Sequence, residues 1–118
     1  MKKVAVPVEN DVLVNVFEHC FQFKIFTIEN QKISDEKLIT APHHQFGLFP
    51  FWLATNSVTD VIAYKMSHET INKFNCLKIN VFVGVEKRDS ILLINEFIKG
   101  VLETNAEVCD NEMQSAHQ

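Results

Sequence analysis

The spacing of the apolar residues changes near Ala41, and that change restricts the fold more than any other feature of the chain. Before it, residues 3–8 and 21–29 are rich in β-branched and aromatic residues, a pattern typical of strands. A turn at Asn30 separates the second run from residues 32–40, so we expect these two segments to pair as an antiparallel hairpin. The first third of the chain therefore predicts three strands.

The segment between the first two of these strands is ambiguous. Glu9, Asn10 and Asp11 are typical of a turn, whereas residues 12–16 are apolar enough to pair as a further short strand. Residues 9–20 therefore allow either a loop or an additional strand.

After Ala41 the pattern alternates between helix and strand, which is typical of crossover connections between parallel strands. The predicted elements are a helix over residues 48–56, a strand over 60–64, a helix capped by Ser67, a strand over 79–84 and a helix capped by Asp89. Residues 3–8, 60–64 and 79–84 are expected to run parallel. Together with the hairpin they predict an α/β domain with a ribonuclease-H-like, three-layer arrangement and a mixed five-stranded sheet. The loop of residues 41–47 should lie near the ends of the central strands, where such sheets form ligand crevices.

The composition predicts one globular domain and disfavours several classes of function. Of the 118 residues 47% are hydrophobic, so we expect a domain over residues 1–103 and a polar tail over 104–118. A formal net charge of −4 does not supply the basic footprint of a nucleic-acid binder. No run approaches the roughly 20 apolar residues that cross a bilayer, and no signal-peptide core is evident. The three cysteines show no CxxC spacing, which predicts reduced thiols and a cytoplasmic protein.

Catalytic motifs are not evident in the sequence. The carboxylates of Glu9, Asp60 and Glu86 stand at ends of predicted strands in no order that gathers them into a metal-dependent nuclease site. The chain has no glycine-rich phosphate loop, no GxSxG and no HExxH. We therefore expect the protein not to be an enzyme.

Three segments carry a family resemblance: Val4–Asn10, Pro42–Leu53 and Val83–Glu86. The middle one is the most specific, because its sequence, PHHQFGLFPFWL, combines several uncommon residues at fixed intervals. With these segments the chain resembles the dinitrogenase iron-molybdenum cofactor biosynthesis family over nearly its whole length. The resemblance implies the ribonuclease-H-like fold and a small domain that carries or processes iron–sulfur-based clusters.

Two motifs depart from the family pattern. Members typically carry His-Phe-Gly after the first strand, with the histidine regarded as a cluster ligand, where this chain reads Val16-Phe17-Glu18. A loop that is usually rich in glycine reads Tyr64-Lys65-Met66-Ser67 here. Lys65 stands where a glycine would be expected and offers a cation to a bound anion. The resemblance implies weaker binding of an anionic cluster than in members with both motifs intact.

Adjacent histidines in the middle segment are the leading candidates for metal or cluster ligands. His43 and His44 precede the first predicted helix, where both imidazoles can reach one centre, and imidazole nitrogen suits iron, zinc and copper. In the alternative reading, one of them bonds to the start of the helix and the other is solvated. His19 matches a position that is often histidine in the family and is the next candidate. Lys65 is the fourth residue that we expect to contact a cofactor, after His43, His44 and His19.

Sulfur ligands are a weaker possibility. Cys20 adjoins His19 and could bind a metal, although the alternative is a small buried core residue. Cys76 is expected in the core. Cys109 and His117, in the tail, could join a site because relatives often end in such residues.

The sequence thus predicts a non-enzymatic accessory protein that binds a metal or an iron–sulfur or iron-molybdenum type cluster, with a cluster donor or acceptor protein as its partner. The alternative is a diverged member that has lost cluster binding and acts as a protein-interaction module. An aromatic group is the candidate partner surface, although helical spacing also suits a core. Its members are Phe46, Phe49, Phe51 and Trp52.

Overall fold

The computed structural model describes residues 1–41 and 48–105. In this part of the chain the strands are β1 (Lys2–Glu9), β2 (Val12–Leu13), β3 (Gln22–Glu29), β4 (Lys32–Thr40), β5 (Asp60–Ile62) and β6 (Asn80–Phe82). The helices are α1 (Phe49–Thr55), α2 (His68–Cys76) and α3 (Ser90–Lys99), with a short 3₁₀ helix over Phe17–His19. The α/β class is confirmed.

The strands form one mixed sheet in the order β4-β3-β1-β5-β6, with β2 on the end of β1. β3 is antiparallel to both β1 and β4, whereas β1, β5 and β6 run parallel. The predicted orientations are therefore confirmed. β5 and β6 are shorter than the predicted 60–64 and 79–84, because the regular pairing of the two strands ends at Ile62 and Phe82. The loop after β5 still forms a hydrogen bond to β6, in which the N–H of Ala63 donates to the carbonyl of Phe82 at 2.8 Å.

The prediction of five strands is wrong by one. Asn10 and Asp11 adopt positive φ angles of 54° and 66°, which suit the two-residue turns that match strand twist. This turn folds Val12 back on Glu9 and makes β2 the sixth strand. The ambiguous segment thus contains an additional strand, which occupies two residues only.

Helices cover both faces of the sheet because successive strand residues point to opposite sides. On one face, Ala5 packs in a cluster with Phe49 of α1 and Phe74 of α2. On the other, Val4 and its alternating neighbours pack with Leu93 of α3. This is the expected three-layer arrangement.

Local signals place the helix ends as predicted. Ser67 is the N-cap of α2, and its Oγ accepts a hydrogen bond from the N–H of Thr70 at 3.2 Å. Asp89 holds the N-cap position of α3 without a side-chain cap bond, and Gly100 ends that helix in the left-handed region at φ 75°. The prediction that Cys76 lies in the core is wrong: it is exposed, because it is two residues past Phe74 and so points away from the buried face of α2.

The last described residues return to the sheet. The N–H of Asn105 donates to the carbonyl of Val83 at 2.8 Å. Gly84, at φ 72°, lies directly beneath, and a Cβ added there would overlap the carbonyl oxygen of Asn105. A glycine is therefore required where the chain crosses the end of β6.

Candidate functional site

Loops converge where the parallel strands end. The N–H of Phe17 donates to the carbonyl of Lys65 at 2.9 Å, and the N–H of Lys65 donates to the carbonyl of Asn15 at 3.2 Å. The next loop is joined by a bond from the N–H of Gly84 to the carbonyl of Tyr64 at 2.8 Å. Three loops are therefore tied together by backbone hydrogen bonds at the carboxyl edge of the sheet, the position where α/β sheets place ligands.

The segment that carries the two leading histidines starts at the same edge. β4 runs in the direction of β1, because both are antiparallel to β3, and the N–H of Ala41 donates to the carbonyl of Phe21 at 2.7 Å. His43 and His44 themselves lie outside the described residues, as do Phe46, Cys109 and His117. The structure places Ala41, the last described residue before them, at the carboxyl edge of the sheet.

A cavity of about 330 Å³ opens beside the 3₁₀ helix. Its lining includes Glu9, Asn15, His19, Cys20 and Phe21. The side chains of His19 and Glu9 are exposed, so both are accessible to a ligand. His19 and Glu9 thus line the same cavity at the carboxyl edge.

The 3₁₀ helix that carries His19 is anchored by its first residue. Phe17 is 1% exposed, and its ring centroid lies 5.4 Å from that of Phe23, 5.6 Å from that of Phe74 and 6.1 Å from that of Phe49. Aromatic contacts of this kind stabilise the fold by more than the burial of apolar area alone. The loop with His19 is therefore attached to the core beneath α1 and α2.

Cys20 lies beneath the cavity surface. It is 4% exposed within the apolar cluster, and burial raises the pKa of its thiol to about 12 from the usual 9.0. The metal ligand is the thiolate, so a metal would have to displace the proton of this thiol to bind its sulfur. The structure supports the alternative reading of Cys20 as a small core residue.

Two lysines flank one aromatic ring at this edge. The Nζ of Lys65 is 5.7 Å from the ring centroid of Tyr64, and the Nζ of Lys87 is 4.9 Å from it. Lys87 also donates to the Oδ1 of Asn15 at 3.2 Å. Lys65 thus lies at the carboxyl edge of the sheet, and Lys87 is a second lysine there that the sequence analysis missed.

Glu18 does not point freely into solvent. Its Oε2 accepts hydrogen bonds from the N–H of Ser67 at 3.0 Å, from the Oγ of Ser67 at 3.0 Å and from the Oγ1 of Thr70 at 2.6 Å. Sequence analysis missed this contact because 49 residues separate Glu18 from Ser67. The only signal was the Ser67 cap itself, which identifies a helix N-terminus able to attract a carboxylate.

The carboxylate at the start of β5 has a different environment. Asp60 is 1% exposed, and its oxygens accept from the Oγ1 of Thr59 at 2.7 Å and the Nδ2 of Asn80 at 3.0 Å. It lies at the amino edge of the sheet, away from Glu9 and Glu86. Within residues 1–41 and 48–105, no group of three or more His, Cys, Asp and Glu side chains could hold a metal ion.

The aromatic group divides between core and surface. Phe49 is 1% exposed and Trp52 packs against the same cluster, whereas Phe51 is 48% exposed. Phe21, on the cavity wall, is 76% exposed. None of the helices in the described part of the chain is long and apolar enough to span a membrane.

Comparison with known proteins gives the family. The model of the family described as dinitrogenase iron-molybdenum cofactor matches residues 1–100, which confirms the resemblance seen in the sequence. No curated protein matches the chain.

Solved structures share the fold over nearly the whole chain. The crystal structure of PH0822 has 25% identity and a TM-score of 0.82, covering 88% of this chain and 95% of that one. A candidate dinitrogenase from Methanocaldococcus jannaschii has 26% identity and a TM-score of 0.72, covering 88% and 94%. The apo form of the orange protein from Desulfovibrio gigas, at 14% identity, shares the fold alone, with a TM-score of 0.72 over 90% and 94% of the two chains.

Proposed function

Because this chain belongs to the dinitrogenase iron-molybdenum cofactor family, we propose that it is a non-enzymatic accessory protein that binds a metal ion or an iron–sulfur-type cluster. The three cysteines without a disulfide or zinc-knuckle spacing suit a reducing compartment, and the proposal places the protein in the cytoplasm. Its partner is a protein that donates or accepts the metal or cluster.

The observation that carries this proposal is the cavity beside His19. It lies at the carboxyl edge of the sheet, where an exposed imidazole is accessible and where the segment toward His43 and His44 begins. Imidazole binds iron, zinc and copper as the neutral form, which is the major form near pH 7. Lys65 and Lys87, at the same edge, would attract an anionic cluster or the acidic surface of a partner.

The described donors are too few to hold a metal by themselves. His19 supplies one nitrogen and Glu9 one carboxylate, whereas the thiol of Cys20 is buried and protonated. A structural metal site needs about four ligands, and an open site about three. The proposal therefore assigns the main contribution to His43 and His44 and a supporting one to His19.

Metal loading in the absence of oxygen tests this function. The protein is incubated with ferrous iron and sulfide, or with Co²⁺ as a spectroscopic probe of imidazole ligation, and then desalted. We expect near-stoichiometric metal, with at least a tenfold loss of affinity in the double variant His43→Ala, His44→Ala. His68→Ala, at the start of α2, is the matched histidine control. Unchanged stoichiometry and affinity in a folded double variant would remove both histidines from the site.

An interaction module is the second candidate function, and one observation favours it. Phe21 exposes 76% of its surface on the wall of the cavity, and Leu48 and Phe51 expose 50% and 48% at the start of α1. Large contiguous apolar patches mark partner surfaces, and these three side chains are the residues from which such a patch would be built. A protein that stays colourless and metal-free after loading would favour this reading.

A further inference from the structure

One oxygen of Glu18 is the acceptor for three donors at the N-terminal end of α2, from its N-cap Ser67 and from Thr70. Ser67 contributes its N–H and its hydroxyl, and Thr70 contributes its hydroxyl at 2.6 Å. Short O–H bonds to a carboxylate are charge-assisted and stronger than neutral ones. Glu18 is partly buried, so water competes with these bonds less than at an exposed site.

The donors belong to a helix end that favours negative charge. The first N–H groups of a helix have no partner within it, and the helix dipole adds a partial positive charge there. Ser67 satisfies one of these groups itself, by accepting from the N–H of Thr70. The Oγ of Ser67 and the Oγ1 of Thr70 also lie 3.0 Å apart, and the carboxylate of Glu18 is within hydrogen-bond distance of both hydroxyls and of the N–H of Ser67.

The carboxylate comes from a different loop, whose backbone is also hydrogen-bonded to the loop that precedes α2. Glu18 is the central residue of the 3₁₀ helix between the buried Phe17 and the exposed His19. The backbone around it already pairs with the loop after β5 through Lys65. The side chain of Glu18 extends that pairing to the first turn of α2.

We propose that Glu18 is a specificity-determining latch: its carboxylate occupies the N-terminus of α2 as an internal anion, holds the 3₁₀ helix on α2 and closes that helix end to external anions. A ligand of the crevice is then held by side chains such as His19 and not by the amides of α2. This last consequence rests on the proposed function, whereas the latch itself does not.

The test compares three variants of the metal-free protein. Glu18→Ala removes the carboxylate, and Glu18→Gln keeps the size and one acceptor oxygen. Glu69→Ala is the matched control, because Glu69 is an 80% exposed acid in the same helical turn that pairs with Lys73 instead. We expect the melting temperature to fall by about 5 °C or more in Glu18→Ala, by less in Glu18→Gln and by no more than about 2 °C in Glu69→Ala.

Rescue by an external anion separates an occupied anion site from ordinary packing. Sodium formate supplies the same carboxylate group and is compared with sodium chloride at equal ionic strength. We expect formate to raise the melting temperature of Glu18→Ala and to leave the wild type and Glu69→Ala unchanged. An equal response of all three proteins would overturn the proposal, as would equal melting temperatures of Glu18→Ala and Glu69→Ala.

If Glu18→Ala does not fold, Glu18→Gln keeps the proposal testable. The amide resonance of Ser67 should then shift more than that of any other residue of α2 when the two-dimensional nitrogen–proton spectra of Glu18→Gln and the wild type are compared. An unmoved Ser67 resonance would contradict the latch. Because these measurements contain no metal, their failure is distinct from a failure of metal loading in the wild type.

Discussion

The two edges of the parallel half of the sheet use buried or partly buried carboxylates in different ways. At the amino edge, Asp60 is bonded to Thr59 and Asn80, which lie in or beside the adjoining strands β5 and β6. At the carboxyl edge, Glu18 is bonded to Ser67 and Thr70, 49 and 52 residues away in the chain, and joins a 3₁₀ helix to an α helix.

The difference between the two edges indicates where this fold can place binding residues. At the amino edge the buried carboxylate of Asp60 is bonded by side chains of the adjoining strand residues. The carboxyl edge is built from loops and leaves His19 exposed at a cavity, with Lys65 and Lys87 nearby. Loops that a rigid sheet positions are the usual carriers of binding residues.

The largest expected effect comes from the core anchor of the carboxyl edge. Phe17→Ala removes a ring that contacts three other aromatic rings and should lower the free energy of unfolding by about 3 to 5 kcal/mol. Urea denaturation measures this, with Phe51→Ala, at a half-exposed position of α1, as the control that should change little. A loss in Phe17→Ala no larger than that of the control would mean that the loop with His19 is not attached to the core.

The amino edge should give the next largest effect. Asp60→Ala removes the acceptor of the Asn80 amide and one of the two acceptors of the Thr59 hydroxyl. That hydroxyl also donates to the carbonyl of Lys3, so we expect a cost of about 1 to 2 kcal/mol. Asp35→Ala, on the exposed face of β4, is the matched control and should stay within about 0.5 kcal/mol. Metal loading should be unaffected by Asp60→Ala at temperatures where the variant is folded. A selective loss of metal there would contradict the division of roles between the two edges.

Local sequence signals predicted most of the fold. The period-two runs and the Ser67 cap are local features, and each was found where the pattern placed it. The missed strand β2 depends on two consecutive residues with positive φ, which Asn10 and Asp11 tolerate but do not require. Strand ends in β5 were misplaced because hydrophobicity continues past the residue where the ladder ends.

The site was less predictable because its contacts link distant segments. His19 and Lys65 were selected through the family resemblance, and the structure places both at the carboxyl edge. The altered motif that contains Glu18 was expected only to weaken the binding of an anionic cluster, since nothing in the neighbouring sequence indicates Ser67 as a donor. His43 and His44 remain predictions, because they lie outside the described residues.

A pH-dependent contribution is expected from the ion pair after β6. Both oxygens of Glu96 accept from the guanidinium of Arg88, at 2.8 and 2.6 Å, and these hydrogen bonds are the main reason that the pKa of Glu96 lies below its usual 4.5. A carboxyl whose pKa is lowered by folding stabilises the folded state above its unfolded pKa and loses that effect as the pH falls through the folded value. The melting temperature of Glu96→Gln should therefore be below that of the wild type at pH 7, and the gap should close in acid. A gap that persists at low pH would contradict this. The pair is partly exposed, so the effect is small.

The last and smallest expected effect concerns thiol reactivity. Its measurement tests whether the cavity wall shields the thiol of Cys20 from solvent. In a Cys109→Ser background, the remaining thiols are Cys20, which is buried, and Cys76, which is exposed at the end of α2. Iodoacetamide reacts with the thiolate, and burial raises the pKa of Cys20 to about 12, so at pH 7.5 we expect only Cys76 to be alkylated in the native protein. Both cysteines should react in denaturant, which controls for reagent quality, and peptide mass spectrometry identifies the modified residue. Rapid alkylation of native Cys20 would show that the cavity opens down to the thiol, and that sulfur would then rejoin His19 as a candidate metal ligand.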